Sequence, residues 1–288
     1  MGHGIDSYWT TPDVGTLLRV DAGFSLADAD PDATPGYTGG KKAGAADLAR
    51  DAVRFDQLQE RLFAASRSDA TTASVLLVLQ AMDSAGKGGF VRHVVGSVDP
   101  QGVSITAFKK PTPDELARDF LWRVRPHVPP AGFIGVFDRS HYEDVLIARV
   151  RSFAPDDEIE RRYGAIVDFE RELVAAGVRI VKVMLNISRG EQRSRLMRRL
   201  DRADKQWKYQ PGDVDERVLW PAYMHAYQAM FERTSTDAAP WHVVPSNSKW
   251  YARLAVQRLL IAALEDIDPQ WPAATYDVAH ERARLAAS

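Results

Sequence analysis

From residue 81 to residue 89 the chain reads Ala-Met-Asp-Ser-Ala-Gly-Lys-Gly-Gly, shortly after the apolar run Val75-Leu76-Leu77-Val78-Leu79. Residues of these types in this order can grip phosphate. The small residues Ser84, Ala85, Gly86, Gly88 and Gly89 let successive backbone N–H groups converge on one anion, and Lys87 can neutralise the outer phosphates. The strict P-loop pattern G-x-x-x-x-G-K-[ST] fails twice here. Ala81 replaces the first glycine, and Gly88 replaces the hydroxyl residue that usually holds magnesium. Asp83 offers a substitute for that hydroxyl. A carboxylate inside a phosphate loop is unfavourable unless a cation lies between the two, and magnesium takes one or two carboxylates together with phosphate oxygens and water. Taken alone, the same residues would also make an ordinary glycine-rich turn with a surface lysine.

Asp138 follows a second apolar run, 133–137, and Arg139 comes next. An Asp that ends a buried strand near a P-loop is the usual second magnesium ligand of P-loop enzymes. In isolation it would merely cap the following helix. The third feature is basic. Between Arg189 and Lys208 there are eight Lys or Arg (189, 193, 195, 198, 199, 202, 205, 208) against three acids, in a chain whose net charge is −2. Arg195, Arg199 and Arg202 share one helical face by spacing, with Leu196 and Leu200 on another face as anchors. Such a segment can close over an anion and exclude water, although any single arginine of the set could simply be solvated. Trp207 and Tyr209 could stack on a base or pack the hinge of that segment.

The elements needed to position these groups are legible. Residues 45–66 have the pattern of an amphipathic helix. Strands are expected at 75–79, 103–108, 133–137, 178–185 and 241–244. Helices are expected at 90–96, after Thr112, at 156–176 closed by Gly177, after Ser188, over 213–233 and over 249–265. Thr112 with Glu115 and Ser188 with Glu191 each read as a capping box. Pro221 should kink its helix or mark its first turns. Strands alternating with helices indicate an α/β fold, a parallel five-stranded sheet with helices on both faces. Ligands of such sheets bind beyond the carboxyl ends of the strands, the edge where Asp83 and Asp138 should lie.

Composition narrows the partners. With 37 Lys/Arg against 39 Asp/Glu, no global attraction to nucleic acid or membrane is expected, so any anion site is a local patch. The absence of cysteine excludes disulfides and thiolate chemistry. No apolar run approaches the ~20 residues of a membrane span, and the first residues lack the apolar stretch of a signal peptide. A cytoplasmic protein is expected. The aromatic set Trp220, Tyr223, Tyr227 and Phe231 could serve a homo-oligomer interface, though such sets usually belong to the core.

At this point the chain resembles a known family, the polyphosphate kinase 2 family of P-loop polyphosphate:nucleotide phosphotransferases. The motifs that carry the resemblance are Met82-Asp83-Ser84-Ala85-Gly86-Lys87-Gly88-Gly89, Phe137-Asp138-Arg139-Ser140-His141-Tyr142, and Arg198-Arg199-Leu200-Asp201 through Lys205-Gln206-Trp207-Lys208. The resemblance runs from about residue 41 to about residue 264. It implies a three-layer P-loop kinase-like fold over 44–288 with a basic helical lid over about 189–213; residues 1–43, rich in Gly, Pro, Asp and Thr with little periodicity, read as an N-terminal arm lying on the domain or as partly disordered. It implies inorganic polyphosphate and nucleoside mono-, di- or triphosphates as substrates, and Mg2+ as cofactor with Mn2+ as the alternative. Asp83 and Asp138 would hold the metal. Lys87 and Arg139 would bind phosphates beside the loop residues 84–89, and Arg198, Arg199, Lys205 and Lys208 would close over the phosphate chain. The segments Phe108-Lys109-Lys110-Pro111 and Asp119-Phe120-Leu121-Trp122-Arg123 are most similar to the branch that phosphorylates both AMP and ADP. Two alternatives share the turn, the sheet and the basic segment: an ATP-dependent nucleoside monophosphate kinase, and a polyphosphate- or nucleotide-binding module without catalysis.

Overall fold

The computed structural model describes residues 8–288, so the first seven residues of the expected arm lie outside it. Five strands, β1 (Ser74–Ala81), β2 (Val103–Ala107), β3 (Ile134–Asp138), β4 (Val178–Asn186) and β5 (Trp241–Pro245), pair in parallel in the order β2-β3-β1-β4-β5. The helices are α1 (Val14–Leu18), α2 (Lys41–Arg67), α3 (Lys87–His93), α4 (Pro113–Leu116), α5 (Ile147–Val150), α6 (Asp156–Ala175), α7 (Arg189–Leu200), α8 (Gly212–Val218), α9 (Trp220–Thr234), α10 (Lys249–Ile267) and α11 (Val278–Ala286). Every residue of β1 is buried, as a central strand covered on both faces requires. β1 has β3 on one side and β4 on the other, and the strand order reverses there. The crevice at the carboxyl end of such a strand is where open α/β sheets bind ligands.

α2 and α10 pack on each other, with α10 over β1, β4 and β5, while α6 packs on β4 and on α9. The α2–α10 contact is close. A Cβ at Gly44 would lie 2.3 Å from the Trp250 ring, so only glycine fits there. Residues 8–40 are laid on the domain. Val14, Leu18, Val20, Leu26 and Tyr37 are buried in the common core. Val20 N–H donates to Trp241 O at 2.8 Å, and Arg19 bridges His242 antiparallel, which covers the β5 edge of the sheet.

Several expected boundaries differ. α2 begins at Lys41, ahead of the expected 45, and the helix after Thr112 is a single turn, although its capping box is complete. The capping box at Ser188 forms by half. The Ser188 hydroxyl accepts from Glu191 N–H at 3.1 Å, but the Glu191 carboxylate turns to Arg195 and Arg198, and Asn247 Oδ1 takes the Ser188 N–H instead. The helix expected over 213–233 breaks at Leu219, with Pro221 in the first turn of α9, where its missing N–H costs nothing. Leu196 anchors α7 but Leu200 is exposed. α7 ends before Arg202, so the three arginines do not share one continuous helical face. Tyr223, Tyr227 and Phe231 are buried within the subunit and Trp220 packs against the core, which assigns that aromatic set to the interior.

Candidate active site

β1 delivers the chain into the turn that precedes α3. Ser84 and Gly86 adopt positive φ, +65° and +130°, a region costly for side chains but open to glycine. The turn is held from behind. Arg195, 4% exposed, donates from Nη1 to the carbonyls of Ser84 and Ala85, and from Nη2 to Ser246 O at 2.6 Å and Asn247 O at 2.9 Å. Gln192 Nε2 donates to Asp83 O at 2.9 Å, and Ser246 Oγ to Ala85 O at 2.9 Å. In a planar trans peptide the C=O and the following N–H point in opposite directions. Carbonyls drawn toward α7 and the β5–α10 turn therefore direct the Ser84 and Gly86 amides away from that side. The Ser84 hydroxyl is buried and, among the described residues, has no partner. Lys87 Nζ donates to Ala81 O at 3.0 Å, so the ammonium is folded over the loop entrance.

The β1–β3 register sets Asp138 opposite Leu79, which brings the end of β3 beside the loop. Arg139, also at positive φ (+64°), bonds Asp83 Oδ1 through Nη2 at 2.9 Å. Burial works against the Arg139 charge, but Glu143, Asp83 and Asp138 outweigh it and hold its pKa above the ordinary value. Glu143 is therefore a third carboxylate of the site. Its own carboxyl is pushed above the usual range by burial, against the pull of Arg139 and Lys87. A carboxylate needs a donor, so the Gln80 amide is oriented with its nitrogen toward Glu143 Oε1 (2.9 Å) and its oxygen toward Ser140 N and Oγ.

The turn that carries Arg139 is anchored below. Tyr142, fully buried against Trp241 with ring centroids 4.7 Å apart, donates its hydroxyl to Glu170 Oε1 at 2.7 Å. Lys182, in the middle of β4 and fully buried, donates to Glu170 Oε2 at 2.6 Å, to Tyr142 Oη at 3.0 Å and to Thr234 O at 2.6 Å. Burial lowers the Lys182 pKa against the pull of Glu170, whose carboxyl Lys182 in turn holds below the carboxylate range despite burial.

The basic segment forms the opposite wall. Loop residues 83–89, Asp138 and Arg139 line one cavity of about 550 Å3 together with Arg198, Arg199, Arg202, Lys205 and Lys208. The residues nominated for metal and phosphate binding thus line one cavity, whereas Trp207 and Tyr209 do not. Many cations of this segment carry local partners: Arg198 Nη2 lies 2.7 Å from Glu191, Arg202 Nη2 2.9 Å from Asp204 and Lys205 Nζ 3.1 Å from Asp204. Arg199 donates to Lys208 O at 3.0 Å and lies 3.6 Å from Asp213, whose carboxyl is pushed up by burial and then by Asp83. Trp207 is exposed, so it does not pack the hinge. Sequence reasoning missed four lining or flanking residues. Glu143 lies just past the motif that ends at Tyr142, and Arg195 looked like one more member of a charge run but is a buried clamp. Lys249 and Arg253 line the cavity from the first turns of α10, where only their i, i+4 spacing marked them.

The donor set fits a hard cation. Among the described residues, no three His, Cys, Asp or Glu side chains form a metal cage. Two carboxylates beside a phosphate loop, with phosphate oxygens and water to complete the shell, match the way Mg2+ binds, and the unpartnered Ser84 hydroxyl is a further hard oxygen.

Strand order, loop and basic wall together define a P-loop phosphotransferase scaffold. The family model for polyphosphate kinase 2 matches residues 40–272. The chain is 45% identical over 255 residues to an AMP/ADP-polyphosphate phosphotransferase of Meiothermus ruber, covering 88% of this chain and 94% of the relative. It is 40% identical over 234 residues to an ADP-polyphosphate phosphotransferase of Rhodopseudomonas palustris, covering 77% and 79%. The crystal structure of polyphosphate kinase 2 from Arthrobacter aurescens TC1 superposes with a TM-score of 0.94 at 56% identity, over 98% of this chain and 99% of that one. The chain belongs to the polyphosphate kinase 2 family.

Proposed function

We propose that this enzyme moves a phosphoryl group between inorganic polyphosphate and AMP or ADP. The observation that carries the reading is the cavity itself, where the loop, Asp83, Asp138 and Arg139 stand at one end of a wall of Lys and Arg. The named activities of the two relatives, one acting with AMP and ADP and one with ADP, support the same substrates. Loop amides and Lys87 bind the terminal phosphates of the donor. Arg139 and the lid residues Arg198, Arg199, Lys205 and Lys208 offset charge on the transferring group. Asp83 and Asp138 would hold Mg2+, which when bound neutralises phosphate charge. The nucleotide's terminal phosphate oxygen attacks the last phosphorus of the donor in line. The bond to the rest of the chain breaks, and the shortened chain leaves with that electron pair. With a cation held at Asp83, the Arg139 guanidinium that now bonds Asp83 would be available to the phosphate.

We infer a cytoplasmic enzyme, in keeping with its lack of cysteine; among the described residues, no helix is long and apolar enough to cross a membrane. The test is product analysis after incubating the protein with AMP or ADP, polyphosphate and Mg2+, without ATP. ADP and ATP are the expected products. Transfer only when ATP is supplied would favour a nucleoside monophosphate kinase, and polyphosphate binding without any transfer would favour a binding module.

A further inference from the structure

Behind the loop, Gln192 of α7 is 1% exposed and donates from Nε2 to the carbonyl of Asp83 at 2.9 Å. Its Oε1 accepts from Arg217 Nη1, which also donates to Arg189 O at 3.0 Å. A guanidinium only donates and a peptide carbonyl only accepts, so the amide between them has one orientation. Arg217 belongs to α8, the helix that follows the basic segment. Its neighbour Glu216 anchors α8, accepting from Arg151 Nη2 at 2.7 Å and from the Tyr223 hydroxyl at 2.6 Å.

Arg217 stands where a cation is costly. Burial, then Arg189 and Arg193, lower its pKa, and among the described residues it makes no ion pair. What it gains there is two acceptors, Gln192 Oε1 and Arg189 O. The Asp83 carbonyl in turn shares its peptide with the Ser84 N–H. Drawing that carbonyl to Gln192 turns the N–H the opposite way, toward the cavity. Arg195 holds the next two carbonyls, of Ser84 and Ala85, so the Asp83–Ser84 peptide is the part of the loop that depends on Gln192.

We propose that Gln192 is a positioning residue for phosphoryl transfer: it sets the Asp83–Ser84 peptide, Arg217 sets Gln192, and α8 thereby controls the amide that the loop offers to the transferring group. The proposal rests on the functional reading above. Donors aimed at the transition state act on kcat more than on KM. The Lys and Arg side chains that line the cavity lie outside this relay, apart from the loop itself, and keep their attraction for the donor.

The test measures kcat and KM for polyphosphate, with thermal midpoints, in wild type, Gln192→Met, Arg217→Met, the double variant and Arg193→Met. Methionine fills the space of glutamine without its amide. We expect kcat to fall about thirtyfold in Gln192→Met and about tenfold in Arg217→Met, with KM changed by less than about threefold in each. In the double variant, Arg217→Met should cost nothing beyond Gln192→Met, because Arg217 acts through that amide. Arg193→Met removes an exposed neighbouring cation that neither lines the cavity nor bonds Gln192, and should keep the wild-type kcat. A wild-type kcat in Arg217→Met, losses that multiply in the double variant, or a loss in Arg193→Met equal to that in Arg217→Met overturns the relay. Should Gln192→Met fold poorly, Arg217→Met still decides, since it relieves repulsion from Arg189 and Arg193. Wild-type protein that forms no product from polyphosphate overturns the functional reading, and the relay falls with it.

Discussion

The two walls of the cavity treat charge in opposite ways. Around and beneath the turn that follows β3 the charged groups have partners: Lys182 with Glu170, Arg139 with Asp83, and Glu143 with the Gln80 amide. On the α10 side Lys249 and Arg253 line the cavity and, among the described residues, form no ion pair. Partnered charges in a low-dielectric interior fix geometry, since moving either member leaves the other unsolvated. Unpartnered cations at a cavity mouth do little to fix geometry and instead raise affinity for an incoming anion. The first wall holds the turn that aims Arg139, and the second waits for substrate.

That contrast breaks most visibly at Lys182. Lys182→Ala strands the Glu170 carboxylate in the core and is expected to cost about 3–5 kcal/mol in urea unfolding. Replacing both partners, Lys182→Met with Glu170→Gln, should recover most of that loss, because no uncompensated charge remains. Failure of the double variant to recover would mean that the pair serves more than mutual neutralisation.

Glu143 comes next. Glu143→Gln is expected to lower kcat by about 10–100-fold while thermal stability changes little, because the carboxylate balances Arg139 and Lys87 at the transfer centre. Its raised pKa means that the ionised form is lost at a higher pH than for an ordinary carboxyl. Wild-type activity should therefore decline on the acid side from above the usual carboxylate range, and Glu143→Gln should lose that limb in a pH–rate profile.

Lys249 sharpens the other wall. Its ammonium is depressed to about 8 by burial and by Arg195 and Arg198, with Glu191 opposing and Arg253 adding to the shift. The protonated form attracts the donor, so binding takes up a proton above that pH. The KM for polyphosphate should rise about threefold or more as pH climbs through 8, and Lys249→Arg should flatten the rise. The smallest effect belongs to Arg202, whose pair with Asp204 is more than half exposed on both sides. Asp204→Asn should leave the thermal midpoint indistinguishable from that of wild type.

The sheet, its helices and the residues of the loop were legible because burial on both faces demands continuous apolar runs and because phosphate demands small residues beside a lysine. Asp138 and Arg139 were legible from their place after a strand. What stayed hidden depends on distance in sequence. Arg195 has the same spacing as a solvated arginine and differs only in reaching the carbonyls of Ser84, Ala85, Ser246 and Asn247. Lys249 and Arg253 join the cavity because β5 and β1 end on the same edge of the sheet, a consequence of strand order. Lys182 read as part of a strand, and nothing local showed that Glu170 and Tyr142 would meet it. The split of the 213–233 region at Leu219 turned on Pro221, whose position allowed either a kink or a new start.

The most direct test of the account is polyphosphate-dependent formation of ADP from AMP, without ATP, by wild type, Lys87→Ala and Asp138→Asn, with thermal midpoints measured on the same samples. Wild type should make ADP, and both variants should lose roughly a thousandfold or more in rate while their midpoints stay near that of wild type. Wild-type-like turnover by either variant would contradict the assignment of the transfer centre to the loop and the end of β3.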